Sequence, residues 1–355
     1  MKEKRKILLT GATGHVGYAV LKDLVDAGED VTIFIRKESR MFKGIKCRKI
    51  LGDITDYETL ENALDGIDVV IHSAGKIDIM NTDYDSCYKI NYLGTENVVK
   101  ACLKKNVKRL IYFSSCDVYK ALPGNELMDE NTEFNATLLD GDYAKTKALA
   151  TNLVIANNGN NGLETVCLQP TACTGPYDYK VSAIGVMVRM YLKGQFNVGM
   201  DFGGYNFVDV RDIAHATRMA IDNGRPGEWY ILGGYYYTIN QFINVLAEIK
   251  NRKPPAIIIS KGMIENIAVI LDQYYKKNKK SKPLLTPYAV RKLDENGNFS
   301  IEKARRDLDY NPMKPEDSLF AMVKWIEENE KPKEPTVLHD KMIDFAAKIY
   351  NSLRY

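Results

Sequence analysis

The sequence predicts an α/β fold, a doubly wound parallel sheet with a smaller C-terminal substrate-binding lobe. Three observations predict it. Short β-branched or apolar runs alternate with helical periodicity through the first half of the 355 residues, as in parallel strands covered on both faces by helices. A glycine-rich turn, Thr10-Gly11-Ala12-Thr13-Gly14-His15-Val16-Gly17, separates the first strand from the first helix. Beyond Gln169-Pro170 the alternation loosens and Gly, Tyr and Pro become frequent, as expected where a sheet gives way to a lobe over its carboxyl edge.

Lys6 to Thr10 reads as the first strand and His15 to Ala27 as its helix, closed by Gly28. Val31 to Ile35 is a β-branched second strand, Arg48 to Leu51 a short third and Asp68 to His72 a fourth. A long helix from about Tyr88 to Lys105 leads to a strand at Leu110 to Ser114; the next helix carries Tyr143, and Leu163 to Leu168 is a further strand. These elements give a dinucleotide-binding domain over 1–170, with returns at about 206–232 through Phe207 to Asp222 and Trp229 to Leu232. Residues 171–205 and 236–330 build the lobe. In 331–355, Leu338, Met342, Phe345, Ala346, Ile349 and Leu353 share one helical face, which suits a helix packed on its own domain.

Composition excludes several classes of function. The formal charge is only +3, with Lys and Arg interleaved among Asp and Glu, so nucleic acid is not an expected partner. The run Lys276-Lys277-Asn278-Lys279-Lys280 reads as an exposed helix end. The six cysteines form no Cys-Xaa-Xaa-Cys pair, which suits buried thiols in a reducing compartment. The four histidines are too scattered for a metal site. No apolar stretch is long enough to span a bilayer, so a cytoplasmic protein is expected.

Gly11, Gly14 and Gly17 allow a tight turn, close approach of backbone to a pyrophosphate, and close helix-strand contact. Thr13, His15 and Val16 share that turn, and the helix N-terminus offers free N–H groups to the phosphates. The second strand ends in Arg36-Lys37 where an NAD site commonly has an acid for the ribose 2′-hydroxyl. A cation there pairs with a 2′-phosphate, which favours NADP over NAD. A solvated strand end is the competing reading of Arg36.

Tyr143 and Lys147 stand one helical turn apart on one face. The spacing alone is cheap, since Tyr18/Lys22, Tyr275/Lys279, Tyr288/Lys292 and Tyr310/Lys314 share it, but only the pair at 143 follows a serine-ended strand, Ser114-Ser115. The ammonium, together with an oxidised nicotinamide, is expected to lower the phenol's pKa so that Tyr143 exchanges a proton near neutrality. Ser115 is placed to hydrogen-bond the same substrate oxygen. The product is a hydride-transfer site.

These motifs, with Gly52-Asp53-Ile54, His72-Ser73-Ala74, Asn91-Tyr92-Leu93-Gly94-Thr95, Gln169-Pro170, Gly175-Pro176 and Asn206 to Asp212, resemble the extended short-chain dehydrogenases/reductases. The likeness covers most of the chain to about residue 330. Within the NAD-dependent epimerase/dehydratase superfamily it is nearest the bacterial dihydroflavonol 4-reductase-like branch. It implies a Rossmann-type domain, a triad of Ser115, Tyr143 and Lys147, and a cofactor flanked by Asp53 and Ile54 at the adenine and by Ser73 and Ala74 along the dinucleotide. Gln169 and Pro170 are carried over as cofactor-side residues, and Tyr143 and Lys147 serve in cofactor binding too, Lys147 on the nicotinamide ribose. It also implies a homodimer through the helices at 88–105 and 143–157. Asn91 is expected to tie helix to sheet, and Phe207 to Asp212 to anchor the lobe.

Cys116-Asp117 replaces the Asp-Glu pair of sugar-nucleotide dehydratases, so dehydration is not expected. A buried thiol outweighs a nucleophile as the reading of Cys116. Reduction of a ketone or aldehyde, or the reverse alcohol oxidation, is the first reading. A sugar-nucleotide 4-epimerase or 3β-hydroxysteroid-type dehydrogenase is the second, and a non-catalytic dinucleotide sensor the third. Tyr177, Tyr179, Met187, Met190, Tyr191, Phe202, Tyr205 and Tyr235-Tyr236-Tyr237 are candidate surface for a flat or apolar substrate, with at least half of them expected in ordinary packing.

Overall fold

The computed structural model describes residues 5–78, 83–195, 198–278 and 285–330; the apolar face expected on Leu338 to Leu353 lies outside them. In chain order the strands are β1 (Lys6–Thr10), β2 (Asp30–Ile35), β3 (Arg48–Leu51), β4 (Val69–His72), β5 (Arg109–Phe113), β6 (Glu164–Pro170), β7 (Ala172–Thr174), β8 (Gly199–Met200), β9 (Gly204–Asp209), β10 (Trp229–Leu232), β11 (Tyr235–Thr238) and β12 (Ile258–Ile259). Seven of them form one sheet in the order β10-β6-β5-β4-β1-β2-β3, parallel throughout. This is a Rossmann-type doubly wound sheet. After β3 the chain crosses to the other side of β1, so the carboxyl ends of β1 and β4 flank the point where strand order reverses, and ligands bind such sheets there.

The helices are α1 (His15–Asp26), α2 (Tyr57–Ala63), α3 (Tyr84–Cys87), α4 (Gly94–Lys104), α5 (Asp142–Ala156), α6 (Ala183–Leu192), α7 (Val210–Asn223), α8 (Ile239–Ile249), α9 (Lys261–Asn278), α10 (Pro287–Leu293), α11 (Glu302–Leu308) and α12 (Pro315–Asn329). A strand's side chains alternate between faces, and the central strands are apolar on both. Ile7, Leu9, Ile33, Ile71 and Ile111 pack with α1 and α7, while Leu8, Phe34, Val70, Leu110 and Tyr112 pack with α2 and α4. Each fully buried aliphatic side chain contributes roughly 1.5–3 kcal/mol.

At Thr171 the chain leaves the large sheet, because β7 follows β6 directly and opens a three-stranded sheet in the order β11-β9-β7. The expected return of Phe207 to Asp222 to the large sheet is therefore corrected. Strand β9 pairs with β7 and β11, and only α7 comes back, packing on α1. Tyr235 to Tyr237 form β11, and Tyr235 and Tyr236 are exposed. A separate lobe core gathers Val188, Tyr191, Phe207, Phe242, Leu319 and Trp325. Asp209 ties the parts together: buried at the N-terminus of α7, it accepts from the Arg211 backbone N–H at 2.7 Å and from the Ser318 hydroxyl of α12 at 2.6 Å. Between α3 and α4 lies a wider π-type segment, Tyr88–Leu93. It carries Asn91, whose amide bonds the backbone of Lys76 in both directions and reaches the Thr146 hydroxyl of α5 at 3.1 Å.

Candidate active site

The glycine turn stands at the reversal point. Gly11 has φ +77°, and a Cβ on it would lie 2.4 Å from the Ser73 carbonyl carbon and 2.5 Å from the Ala74 nitrogen. A Cβ on Gly17 would lie 2.2 Å from the Gly11 oxygen. Only glycine allows these approaches. Gly14 starts α1 without any side-chain cap, and the first turn contains no acid. The first N–H groups are thus left for an anion, which the positive end of the helix also favours. This cradle suits a dinucleotide pyrophosphate. Beneath it, His72 bridges the hydroxyls of Thr10 at 2.7 Å and Thr95 at 3.0 Å, and burial pushes its pKa down to about 3. It is a neutral structural ring.

Beside the turn, Thr13, Arg36, Lys37, Arg40, Lys43 and Lys180 line a cleft of about 970 Å³. Among the described residues no carboxylate lines it. Asp53 accepts from the backbone N–H and the hydroxyl of Thr55, each at 2.9 Å, and Ile54 is buried against Gly94. Val16 packs on the core. The His15 side chain, in contrast, is taken by the lobe: its Nε2–H donates to the Pro176 carbonyl at 2.8 Å. Gln169 is fully buried, accepting from the Tyr119 hydroxyl at 2.6 Å, and Pro170 ends β6 opposite Leu232 of β10. Neither the Gln169 nor the His15 side chain opens onto the cleft.

Ser115 caps a short turn after β5, with its hydroxyl 3.2 Å from both the Asp117 backbone nitrogen and the Asp117 carboxylate. Helix α5 brings the Tyr143 phenol beside Ser115. Burial and the Asp117 carboxylate push the phenol well above its ordinary range, and the neighbouring Ser115 hydroxyl opposes them. The expected lowering by Lys147 is corrected. The Lys147 ammonium donates to the Phe113 carbonyl and lies 4.4 Å above the Tyr112 ring, so it is turned from the phenol onto β5. Burial pushes it down to about 7. Ligand-free Tyr143 is therefore protonated at neutral pH.

The Lys147 shift has a measurable sign. Between about 7 and its unfolded value of about 10.4, the unfolded chain binds the proton that the folded chain releases. Stability of the ligand-free protein therefore rises with pH across this window, by at most ~1.4 kcal/mol per unit from this group. Lys147→Met is expected to remove that slope. Chemical denaturation of both proteins at a series of alkaline pH values checks it, and parallel curves would refute it.

Sequence reasoning missed the lobe's side of the site. Tyr288 and Lys292 of α10, one of the repeated Tyr-Xaa-Xaa-Xaa-Lys matches, face it. The Tyr288 hydroxyl donates to the Asp140 carbonyl at 3.4 Å and covers Gly141, where a Cβ would lie 2.0 Å from the phenolic oxygen. Lys292 donates to Glu295 at 2.7 Å; burial works to lower its pKa, but Asp117 and Glu295 outweigh it and hold the ammonium above its ordinary value. Burial, then the charges of Asp117 and Glu295, push Tyr205 up to about 12. Of the other candidate pocket residues, Tyr191 belongs to the lobe core, and Met187 and Phe202 pack against that core. Tyr177 meets the Tyr18 ring at a tilt and Tyr179 meets it edge-on, with centroids 5.3 and 4.9 Å away. Cys116 is half-buried rather than buried, and desolvation, with Asp117 adding to it, pushes its thiol well up.

The family model described as the 3-beta hydroxysteroid dehydrogenase/isomerase family matches residues 8–242. The chain belongs to this family. Sterol demethylase protein B of Methylococcus capsulatus is 26% identical over 326 residues, covering 90% of this chain and 98% of that protein. The 2-alkyl-3-oxoalkanoate reductase of Stenotrophomonas maltophilia is 28% identical over 318 residues, 86% of this chain and 94% of that protein. Among solved structures, a UDP-glucuronic acid 4-epimerase from Bacillus cereus, in complex with UDP-glucuronic acid and NAD, superposes with a TM-score of 0.74 at 20% identity, covering 92% of this chain and 100% of that one. That last likeness concerns the fold alone. These relatives do not confirm the dihydroflavonol 4-reductase-like branch. As a member of the 3-beta hydroxysteroid dehydrogenase/isomerase family, the chain is an NAD(P)-dependent oxidoreductase of the extended short-chain type. Among the described residues no cluster of His, Cys, Asp and Glu is arranged to hold a metal, and no helix is long and apolar enough to cross a membrane.

Proposed function

We propose that the protein reduces a ketone or aldehyde with NADPH, or oxidises the corresponding alcohol, using Ser115, Tyr143 and Lys147. The observation that carries this is the placing of Ser115, at the end of β5, beside a protonated Tyr143 of α5 at the sheet's carboxyl edge, near the glycine cradle. When bound, the reduced nicotinamide supplies a hydride. Ser115 and Tyr143 hydrogen-bond the substrate oxygen as negative charge develops on it, and Tyr143 gives it a proton. Lys147, one turn along α5, holds the nicotinamide ribose. Gly11, Gly14 and Gly17 cradle the pyrophosphate. Arg36, in a cleft lined by cations, takes the 2′-phosphate.

Oxidation of a hydroxysteroid-type alcohol is the second reading, favoured by the matching family's description. We further propose that the protein acts as a homodimer through α4 and α5. The test mixes purified protein with NADPH or NADH and a panel of ketones, aldehydes, steroids and nucleotide sugars while the absorbance of the reduced nicotinamide is followed. Faster loss with NADPH and a carbonyl is expected. Reduction is expected to vary little around neutral pH, whereas oxidation rises with pH because it needs the phenolate. No turnover with any carbonyl or alcohol, or turnover of a nucleotide sugar without net redox change, would overturn the reductase reading.

A further inference from the structure

The lobe segment from Gly175 to Ser182 lies across the glycine turn and is held there at several points. Pro176 accepts from His15, and the ring of Tyr18 meets Tyr177 and Tyr179. Asp178, buried, pairs with Arg189 at 2.9 Å and accepts from the Ser182 backbone N–H at 2.8 Å. Two non-glycine residues of this segment have left-handed backbone, Tyr177 at φ +74° and Val181 at φ +54°. A β-branched residue there is a true outlier, and such strain persists only where surrounding contacts over-determine it. What the bend delivers is Lys180. Its ammonium donates to the Thr13 hydroxyl of the glycine turn at 2.7 Å. Burial and the charges of Arg36 and Lys37 lower its pKa, and among the described residues no carboxylate pairs with it. A cation brought among cations, with only a hydroxyl to bind, fits a place that an anion will fill.

We propose that Lys180 is a cofactor-binding residue supplied by the substrate lobe, which binds the dinucleotide's pyrophosphate above the glycine turn and so draws the lobe onto the loaded cofactor. The inference rests on dinucleotide binding at this turn but not on the choice between NADP and NAD, because both carry the pyrophosphate. Lys180 and Arg36 line one cleft, and the two assignments differ in the phosphate each takes, the pyrophosphate for Lys180 and the 2′-phosphate for Arg36.

Calorimetric titration of the full chain with NADP⁺ and with NAD⁺ tests it. Lys180→Ala is expected to weaken both by a similar factor, about 10- to 100-fold for one charge-assisted contact, and Lys180→Arg to restore most of the loss. Arg36→Ala is expected to weaken NADP⁺ alone. A second readout comes from Trp325, whose ring meets Tyr179 edge-on at 4.9 Å. Saturating NADP⁺ is expected to change tryptophan emission in the wild type and less in Lys180→Ala. Unchanged affinities in Lys180→Ala, or a loss confined to NADP⁺, would overturn the pyrophosphate contact. Wild-type preference for NAD⁺ would refute the NADP assignment while leaving the Lys180 contact standing, and failure of the wild type to bind either would refute the dinucleotide site itself.

Discussion

Tyr143→Phe is expected to lower kcat about 10²- to 10⁴-fold, the usual weight of one positioned acid/base, while cofactor affinity stays within about a factor of three. Phenylalanine keeps the ring, its half-buried place on α5 and therefore the packing of the helix. It removes only the hydroxyl that meets Ser115. Because burial and Asp117 push that phenol's pKa upward, the loss should be seen in reduction throughout the neutral range. Steady-state rates with titration of NADP⁺ into both proteins make the comparison. Wild-type turnover in the variant would remove Tyr143 from the chemistry, whereas an equal loss of cofactor affinity would make it a structural residue.

Arg36→Asp is expected to shift the NADPH-to-NADH ratio of kcat/KM toward NADH by on the order of 100-fold. The substitution removes a charge-assisted bond to the 2′-phosphate, repels that phosphate, and offers a carboxylate to a free ribose hydroxyl. Lys37, Arg40 and Lys43 remain in the cleft, so NADPH should still bind. Arg36 is exposed at the end of β2 and has no carboxylate partner among the described residues, so the fold should survive the change. Rates measured with both cofactors at one carbonyl substrate check it. An unchanged ratio would refute the 2′-phosphate assignment and say nothing against Tyr143.

Much of the nucleotide-binding half was legible because its signals are local and periodic. Strands β1, β2, β4, β5 and β6 announce themselves by apolar runs, while β3 is a short, largely exposed edge strand, and each of the six lies within two residues of its expected ends. Gly11 and Gly17 were legible because a backbone that close to Ser73 and to itself admits no side chain. That Ser115 and Tyr143 would be neighbours was legible from their order along the chain, against four other Tyr-Xaa-Xaa-Xaa-Lys matches. One of those decoys, Tyr288 and Lys292, nevertheless faces the site, because which helix covers a cleft is decided by lobe packing and not by spacing. Lys180 was hidden for a related reason: it sits in an irregular segment with two left-handed residues, and no period marks such a place. The pKa relation between Tyr143 and Lys147 was misread because sharing a helical face does not fix where a long side chain turns, and here β5 offered it the Phe113 carbonyl.

Strand β6 has β5 on one side and β10 on the other. Its partner β10 begins at Trp229, some 60 residues after β6 ends at Pro170. While the chain is being synthesised, the apolar stretch Val166, Cys167 and Leu168 therefore emerges with one edge open, and closes only after the whole of β7 to α7 has followed. A nascent chain halted in that interval would present an unpaired hydrophobic strand to other chains.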